Sequence, residues 1–367
     1  MKKIKGLLIV AILGAFLMIN QEKVSAMGIS SQCGILMEQT TGRVLYEKCA
    51  NDQMYIASIT KILTTVVAIE NAPLDAWVEI SDNVTRQEGS ALYLTLGDQV
   101  KLIDLLYGLM LRSGNDAAMA IAEFVGGNEA DFVKMMNEKA KEIGMTNSIF
   151  QNPSGLDETT YNLSTAKDMA LVMQYAMNNP IFREITGTKT HKATTKNSMT
   201  YVWHNKHKLV TGYYEYAIGG KTGFTKQARR TLVTSARKDE MELIVVTLKA
   251  GDDWNDHMSL FNYGFDNYEV QTIMEPGEIT IENHKLDEKL YVNKTVNVVV
   301  KKDGSEKVTT NLSLYEKPKD NEVGVLEVLL NNEVVQKVPV YKAITPKIEG
   351  KSWFDKLMNW FTGAVTF

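Results

Sequence analysis

The stretch "IGGKTGFTKQARRTLVTSARKDEMELIVVTLKAG", residues 218–251, decides the fold, because it contains three consecutive segments typical of β-strands. These segments are IGGKTGFT, RTLVTSARKD and MELIVVTLKAG, with a turn expected around Lys238 to Glu240. The next segment, WNDHMSLFNYGFDNY, has the pattern of a helix. The sequence therefore predicts a sheet of adjacent strands in a domain that a helix closes near residue 268.

Helical patterns precede this stretch. Apolar residues recur at helical spacing from Ser58 to Asn71, VKLIDLLYGLMLRSG stops at Ser113-Gly114, and NDAAMAIAEFVGG starts at Asn115. Two amphipathic segments follow, EADFVKMMNEKAKEIGM and STAKDMALVMQYAMNN, the second with Ser164 or Thr165 as its N-cap. Separate runs of helices and of strands indicate the α+β class.

The C-terminal quarter of the chain has a different sequence pattern. From about residue 275, short alternating strands with Asp-Gly and Asn-Asn turn signals predict a small all-β domain. The end, GKSWFDKLMNWFTGAVTF, predicts an amphipathic helix whose aromatic face suits a membrane interface. Docking of this helix on the protein's own surface is the alternative.

The N-terminus has the pattern of a signal peptide: a basic start, an apolar run from Gly6 to Met18, and Val24-Ser25-Ala26 before the cleavage point. An uncleaved anchor is the alternative, and in both cases the rest of the chain is exported. We expect a signal peptide at 1–26, a main domain at 27–268, a β-rich domain at 269–345 and an anchoring helix at 346–367.

Composition excludes several classes of protein. The chain has 367 residues, of which 44% are hydrophobic and 23% charged, so neither a disordered chain nor a multi-span membrane protein is indicated. A net charge of -4 argues against a nucleic-acid partner. The five histidines show no H-E-x-x-H spacing, so a zinc peptidase is not indicated.

The two cysteines, Cys33 and Cys49, flank a predicted hairpin that turns at Thr40-Thr41-Gly42. In an antiparallel register they lie nearly opposite each other, and export permits a disulfide. Two free thiols are the alternative.

A serine and a lysine at the start of the first long helix suggest nucleophilic chemistry. Ser58 lies three residues before Lys61, so a helix puts the hydroxyl and the amine on one face. Burial and neighbouring cations can lower a lysine pKa until the amine serves as a base. The spacing alone is weak, because S-x-x-K recurs at 164–167 and 235–238.

Two further triplets complete a known catalytic combination. Lys221-Thr222-Gly223 lies on a predicted strand, where the glycine permits close approach of a substrate. For the middle element, Ser113-Gly114-Asn115 lies in the break between two apolar helices, whereas Ser81-Asp82-Asn83 follows a probable strand at a surface turn. We therefore favour the first of these two triplets.

With these motifs the chain resembles the low-molecular-mass penicillin-binding proteins of the penicillin-binding protein 5 type, the serine D-alanyl-D-alanine carboxypeptidases. The resemblance extends over most of the chain, through TGRVLYEK, ASITKILT, LLYGLMLRSGNDAAMAIAE, FQNPSGLDE, STAKDMALV, GGKTGFT and LVTSA. It implies a transpeptidase-like domain at 27–268, with an antiparallel sheet flanked by helices and a helical subdomain. The implied partners are peptidoglycan stem peptides, β-lactam antibiotics and, through the C-terminal helix, the membrane surface at the outer face of the cytoplasmic membrane. The resemblance implies no metal and no organic cofactor.

The resemblance also implies roles. Ser58 would be the nucleophile and Lys61 its base, Ser113 would pass a proton to the leaving D-alanine, and Asn115 would bind the substrate amide or hold Lys61. Backbone N–H groups of Ser58 and Phe224 would form the oxyanion hole. Lys221 and Thr222 would line the facing strand and attract the terminal carboxylate, and Gly223 and Phe224 would also belong to the substrate-binding site.

The chain also departs from the family pattern. Ser154 and Asn162 stand where histidines are common, and the arginine that often follows the next strand is missing from AGDDWNDHMS. The carboxylate receptor could instead be Arg229, Arg230 or His257, with Lys206 near a basic position of the cleft. These departures resemble a sporulation-associated branch.

Three alternatives share parts of this pattern. A serine β-lactamase of the same fold needs a carboxylate that positions a water molecule, for which Glu158 is the candidate. A D,D-endopeptidase uses every residue named above. An inactive peptidoglycan-binding scaffold would be expected to have lost part of the catalytic set.

Overall fold

The computed structural model describes residues 28–279 and 289–342. The strands are β1 Cys33–Glu38, β2 Val44–Lys48, β3 Met54–Tyr55, β4 Trp77–Glu79, β5 Gln99–Lys101, β6 Leu163–Ser164, β7 Thr190–Thr194, β8 Thr200–His204, β9 Ala217–Thr225, β10 Arg229–Lys238, β11 Met241–Ala250, β12 Tyr268–Met274, β13 Gly277–Glu278, β14 Tyr291–Val292, β15 Val296–Lys301, β16 Val308–Lys319, β17 Glu322–Leu330 and β18 Glu333–Tyr341. The helices are α1 Lys61–Asn71, α2 Asp82–Thr85, α3 Leu102–Arg112, α4 Asn115–Gly126, α5 Glu129–Ile143, α6 Ala166–Met177, α7 Pro180–Gly187 and α8 Asp253–Asn267. A 3-10 turn, Ala57–Thr60, leads into α1, and a π-helical turn, Leu209–Tyr213, precedes β9.

The main sheet is antiparallel, with strand order β2-β1-β11-β10-β9. Residues 218–251 provide β9, β10 and β11, and the predicted turn between the last two contains Asp239 with φ 52°. All but one residue of β11 is buried, as expected for a strand covered on both faces. The strand β9, which carries Lys221-Thr222-Gly223, lies at the sheet edge and can face a substrate.

Alternate residues of β11 point to different layers. Ile244 and Val246 belong to the buried cluster that also contains residues of α1 and α3 to α7. On the other face, a Cβ at Gly264 of α8 would lie 2.5 Å from Leu243 Cδ1, so this helix lies close against the sheet. The α+β class predicted from the sequence is confirmed by this arrangement of helices around an antiparallel sheet.

Helix termini follow the predicted signals. Thr165, rather than Ser164, caps α6, and its hydroxyl accepts a hydrogen bond from Asp168 N at 3.0 Å. Ser113 ends α3 in the left-handed conformation, φ 67° and ψ 34°, and α4 begins two residues later at Asn115. This break changes the chain direction and brings the start of α4 towards α1.

The β-rich region after α8 has its own cluster of buried residues. There β12 pairs with β15, and β13, β14, β18, β17 and β16 form a second antiparallel sheet. Asn331 and Asn332 join β17 to β18 with positive φ angles of 50° and 70°, as the Asn-Asn turn signal predicted. Arg43, in the turn between β1 and β2, forms an ion pair with Glu306 of this region.

The hairpin β1–β2 brings Cys33 and Cys49 together, with their sulfur atoms within 4.8 Å of each other and both thiols free. The disulfide therefore stays a prediction. The signal peptide, part of the predicted strand EITIEN and the C-terminal amphipathic helix lie outside the described residues. In the parts of the chain that the structure describes, no helix has both the length and the apolar character needed to cross a membrane.

Candidate active site

Ser58 and Lys61 meet at the junction between the 3-10 turn and α1. Lys61 Nζ lies 3.2 Å from Ser58 Oγ, within hydrogen-bond distance. The residue before the serine, Ala57, has φ 50°, a left-handed conformation that is unusual for a residue with a side chain. Strain of this kind is common beside catalytic nucleophiles, where it fixes the side chain in one position.

Lys61 is fully buried, and acceptors surround its amine. Nζ donates to Asn115 Oδ1 at 2.8 Å and to the carbonyl oxygen of Ser154 at 2.6 Å. With the serine hydroxyl, these acceptors use the three protons of an ammonium group. The lysine side chain is therefore held against Ser58.

The pKa of Lys61 lies well below its ordinary value. Burial is the main cause, and the positive charges of Lys221 and Lys206 lower the pKa further, whereas Asp116 opposes the shift. A lower pKa raises the fraction of neutral amine at neutral pH. Neutral Lys61 can accept the proton of Ser58, which is the property a general base needs.

Asn115 is oriented by two contacts at the start of α4. Its Nδ2 donates to Glu88 O at 2.7 Å, and its backbone N donates to Ser90 O at 2.6 Å. Because the amide nitrogen is bound to Glu88, the amide oxygen faces Lys61. Ser113 is buried just before it, so both polar residues of the triplet lie where α3 ends and α4 begins.

The strand β9 lies directly against the turn that carries the nucleophile. A Cβ at Gly223 would lie 3.0 Å from Ser58 N and 2.4 Å from Thr231 Oγ1, so only glycine fits here. Thr231, opposite Gly223 on β10, donates from its hydroxyl to Ile56 O at 2.9 Å. These contacts place the backbone of Gly223 and Phe224 beside Ser58.

Lys221 and Lys206 add positive charge to the same cleft. Lys221 is buried, and burial, with a smaller effect of Lys206, lowers its pKa to about 7. Its Nζ donates to Thr222 O at 2.8 Å. Partial burial and Arg112 lower the pKa of Lys206. In their protonated forms these two lysines attract anionic groups of a substrate to this side of the cleft, and the attraction weakens as they lose their protons.

The proposed carboxylate receptors differ in position. Arg230 Nε and Nη2 donate to Asp253 Oδ1 at 2.9 and 2.6 Å, and its guanidinium lies over the ring of Trp254. Its side chain therefore points to the α8 face, opposite to that of Thr231. Arg229 is exposed at the start of β10.

His257 does not fit the role of carboxylate receptor. It is fully buried, and its ring nitrogens lie 2.8 Å from Thr234 Oγ1 and 3.0 Å from Thr247 Oγ1. Burial also holds the pKa of His257 well below its usual value, so the ring is neutral. The structure contradicts this candidate, because a neutral, enclosed ring cannot reach a substrate anion.

The other copies of the motifs lie in different settings from Ser58 and Lys61. Ser81 caps α2 and donates from Oγ to Glu123 Oε2 at 2.7 Å. Lys167, in the second S-x-x-K, is exposed. Ser235 and Lys238, in the third, lie on β10, where residues three apart point to opposite faces. Glu158, the candidate for a β-lactamase water, is exposed.

Sequence reasoning missed several contacts of the site. The carbonyl of Ser154 binds Lys61, and Asn162 Nδ2 donates to Thr60 Oγ1 at 3.0 Å, so the two unusual loop residues are in contact with the catalytic turn. His207 lies behind β9, where burial, opposed by its contact with Val233 O, lowers its pKa to about 4. The polarity of Ser154 and Asn162 was visible in the sequence, but a backbone acceptor has no residue signature.

Comparison with known proteins gives a consistent result. The sequence pattern of a family described as D-alanyl-D-alanine carboxypeptidase, Peptidase S11, matches residues 20–252. D-alanyl-D-alanine carboxypeptidase DacF of Bacillus subtilis is 29% identical over 368 residues, which cover 93% of this chain and 93% of the relative. D-alanyl-D-alanine carboxypeptidase DacC of Escherichia coli is 28% identical over 365 residues, and this match covers 92% of this chain and 89% of the relative.

Solved structures agree with the sequence matches. Penicillin binding protein 5 from Haemophilus influenzae superposes with a TM-score of 0.71 at 27% identity, over 86% of this chain and 96% of that protein. The D-alanyl-D-alanine carboxypeptidase from Mycobacterium tuberculosis has a TM-score of 0.62 at 30% identity, over 66% of this chain and 95% of that one.

Proposed function

The chain belongs to the D-alanyl-D-alanine carboxypeptidase family and is a serine-type carboxypeptidase, and we propose that Ser58, Lys61, Ser113, Asn115 and Lys221 carry the reaction. The observation that supports this proposal best is the contact of Lys61 Nζ with Ser58 Oγ at 3.2 Å in a buried, cation-rich setting. The substrate is a peptidoglycan stem peptide that ends in D-Ala-D-Ala.

Acylation begins with proton transfer from Ser58 Oγ to neutral Lys61, while Oγ attacks the carbonyl carbon of the penultimate D-alanine. The C–N bond then breaks, and Lys61, through Ser113, returns the proton to the nitrogen of the leaving D-alanine. Water subsequently attacks the acyl carbon and gives up a proton to the same amine. The bond from the carbonyl carbon to Ser58 Oγ then breaks, and Lys61 returns the proton to Oγ, which releases the shortened peptide and restores Ser58 and neutral Lys61. The low pKa of Lys61 supports both proton transfers.

The negative charge that develops on the carbonyl oxygen needs donors. We assign this role to the backbone N–H groups of Ser58 and Phe224, because the absence of a side chain at Gly223 lets β9 approach the nucleophile. Backbone donors fixed in a packed strand require no reorganisation when the charge forms, which is the main advantage of an oxyanion hole.

Binding of the terminal carboxylate is assigned to Lys221 and Thr222, supported by Lys206 at the mouth of the cleft. Arg230 already neutralises Asp253, so it binds substrate only at the cost of that ion pair. Arg229 is exposed at the start of β10. These assignments predict that Lys206 affects substrate affinity more than Arg230 does.

We also propose that the enzyme acts at the outer face of the cytoplasmic membrane and is acylated by β-lactam antibiotics. In this arrangement residues 27–268 form the peptidase domain, 269–345 the β-rich domain and 346–367 the membrane-surface helix. The amphipathic pattern at the C-terminus supports the last assignment.

Release of free D-alanine from a peptide ending in Lys-D-Ala-D-Ala tests the proposal, with the mature chain and its Ser58→Ala variant compared at equal concentration. We expect release from the first protein only. Covalent labelling of Ser58 by a fluorescent penicillin provides a second readout, located by peptide mapping. A folded protein that does neither contradicts the catalytic assignment.

A further inference from the structure

A cavity of about 380 Å³ opens next to the catalytic cleft, on the side of Ser113. Its walls are residues 91–93, Arg112 at the end of α3, and strand β8. The volume lies in the range of about 300–1,000 Å³ that is usual for small-ligand sites. None of these wall residues has a part in the reaction described above.

The cavity shares its framework with the catalytic cleft. A Cβ at Gly114 would lie 2.6 Å from Leu92 Cγ, so the wall at residue 92 touches the catalytic triplet. Arg112 directly precedes Ser113 in the chain. On the far wall, Lys206 N donates to Leu111 O at 3.1 Å, which ties the segment after β8 to the last turn of α3. A ligand in the cavity would therefore lie beside Ser113.

Tyr93 projects from a rigid piece of backbone at the rim. Its side chain is 84% exposed and its φ is 62°, a strained conformation for an aromatic residue. Asp116 holds the backbone on both sides, because its carboxylate accepts from Leu92 N at 2.8 Å and from Leu94 N at 3.4 Å. The leucine side chains are buried. The backbone at Tyr93 is therefore held in a strained conformation that presents an exposed aromatic ring at the rim, and strain of this kind clusters at ligand-binding sites.

Arg112 and β8 give the cavity its polarity. Arg112 is half-buried and forms no ion pair with any carboxylate among residues 28–279 and 289–342. Trp203 and Tyr201 of β8 are stacked, with ring centroids 5.6 Å apart, and form an aromatic wall. The cavity therefore combines aromatic side chains with polar groups, among them a guanidinium group that has no carboxylate partner in the described parts of the chain.

We propose that this cavity, here called the leaving-residue cavity, binds the side chain of the C-terminal residue that leaves the substrate, and that it accepts an aliphatic D-amino acid side chain ending in a carboxylate. The proposal rests on the proposed function, because Ser113 protonates the leaving nitrogen and the cavity begins beside it. The methyl group of D-alanine leaves the cavity unfilled. A longer side chain reaches Tyr93, and its carboxylate pairs with Arg112.

Three peptides that differ only in the last residue test the proposal. They are diacetyl-L-Lys-D-Ala followed by D-Ala, D-Leu or D-Glu, and the measured quantity is kcat/KM for release of that residue. We expect the wild-type protein to cleave the D-Glu peptide at least as well as the D-Ala peptide. Arg112→Gln should lower the D-Glu to D-Ala ratio about tenfold, as for one lost charge-assisted hydrogen bond, and spare the D-Leu to D-Ala ratio.

Tyr93→Ala should lower both ratios, because the ring contacts either side chain. Lys196→Gln removes a positive charge from the turn of the same hairpin, outside the cavity wall, and should change neither ratio. Melting temperatures establish that each variant is folded.

Strong rejection of D-Glu and D-Leu by the wild-type protein overturns the proposal, and so does an equal effect of Arg112→Gln on all three peptides. Cleavage of the D-Ala peptide in those cases leaves the proposed function intact. If no peptide is cleaved and penicillin does not label Ser58, the proposed function fails and this proposal fails with it.

Discussion

Replacement of Gly223 by alanine should uncouple β9 from the nucleophile. The added Cβ would lie 2.4 Å from Thr231 Oγ1, 3.0 Å from Ser58 N and 3.1 Å from Ile59 N. Ordinary contacts of a Cβ begin at 3.4 Å, so the strand must move by several tenths of an ångström from the backbone of the turn and further from the threonine. The backbone of residue 224 moves with it, away from the position where the oxyanion forms.

The size of the effect follows from this displacement. Overpacking in a close-packed interior costs about 1–3 kcal/mol, which lowers the melting temperature by several degrees. A misplacement of about 1 Å at a reacting centre costs on the order of 100-fold in rate. We therefore expect Gly223→Ala to remain folded while its acylation rate falls at least tenfold and up to about 100-fold.

The assay is stopped-flow acylation by a fluorescent penicillin, with thermal unfolding measured on the same samples. Gly219→Ala is the matched control, because Gly219 lies on the same strand as Gly223 but away from Ser58. Its added Cβ would lie 2.4 Å from Thr186 Cγ2. It should lose similar stability and much less acylation rate. Acylation of Gly223→Ala at the wild-type rate would refute the inferred packing of β9 against the turn.

Further predictions concern charge and redox state. Asn115→Asp places a carboxylate beside Lys61 and raises its pKa, so the acidic limb of the pH–rate profile for acylation should move to higher pH. Burial lowers the pKa of Lys221 to about 7, so its positive charge is lost above that pH. KM for a peptide with a free terminal carboxylate should therefore rise above pH 7. KM for the same peptide with an amidated C-terminus should not. Oxidation by a disulfide such as oxidised glutathione should join Cys33 to Cys49, so that thiol titration detects neither thiol. The disulfide closes the loop between these two residues and should raise the free energy of unfolding in urea by about 3 kcal/mol. The first prediction is contradicted if Asn115→Asp leaves the acidic limb of the profile unchanged, and the second if KM of the two peptides changes in the same way with pH. Thiols that remain titratable after oxidation contradict the third.

Local sequence patterns predicted the elements that carry the chemistry. Periodicity placed Lys61 in a helix and Lys221 on a strand, and the chain break at Ser113-Gly114 separated two helices as expected. These features depend on residues close in the chain, where side-chain spacing and capping directly bias the backbone. The choice of Ser113 over Ser81 also relied on local context.

The carboxylate receptor could not be chosen in the same way. Arg230 and His257 looked equivalent in the sequence, but Asp253 binds the first and threonine hydroxyls enclose the second. Whether a charged or polar side chain is exposed depends on what packs against it from distant segments. The sequence pattern alone does not specify those partners.

The sequence by itself determined the α+β class, the helices and strands that carry the catalytic residues, and the three short motifs, but not α7 or the hairpin formed by β7 and β8. Only the tertiary structure decided which of three S-x-x-K pairs is enclosed by Asn115 and the carbonyl of Ser154, because these groups lie 54 and 93 residues from Lys61 along the chain. The tertiary structure also sets the low pKa of that lysine. Lys61 becomes buried, and the charges of Lys221 and Lys206 come near it, only when α1, β9 and the segment after β8 pack together. Secondary structure follows from neighbours in the chain, whereas desolvation and charge proximity follow from neighbours in space.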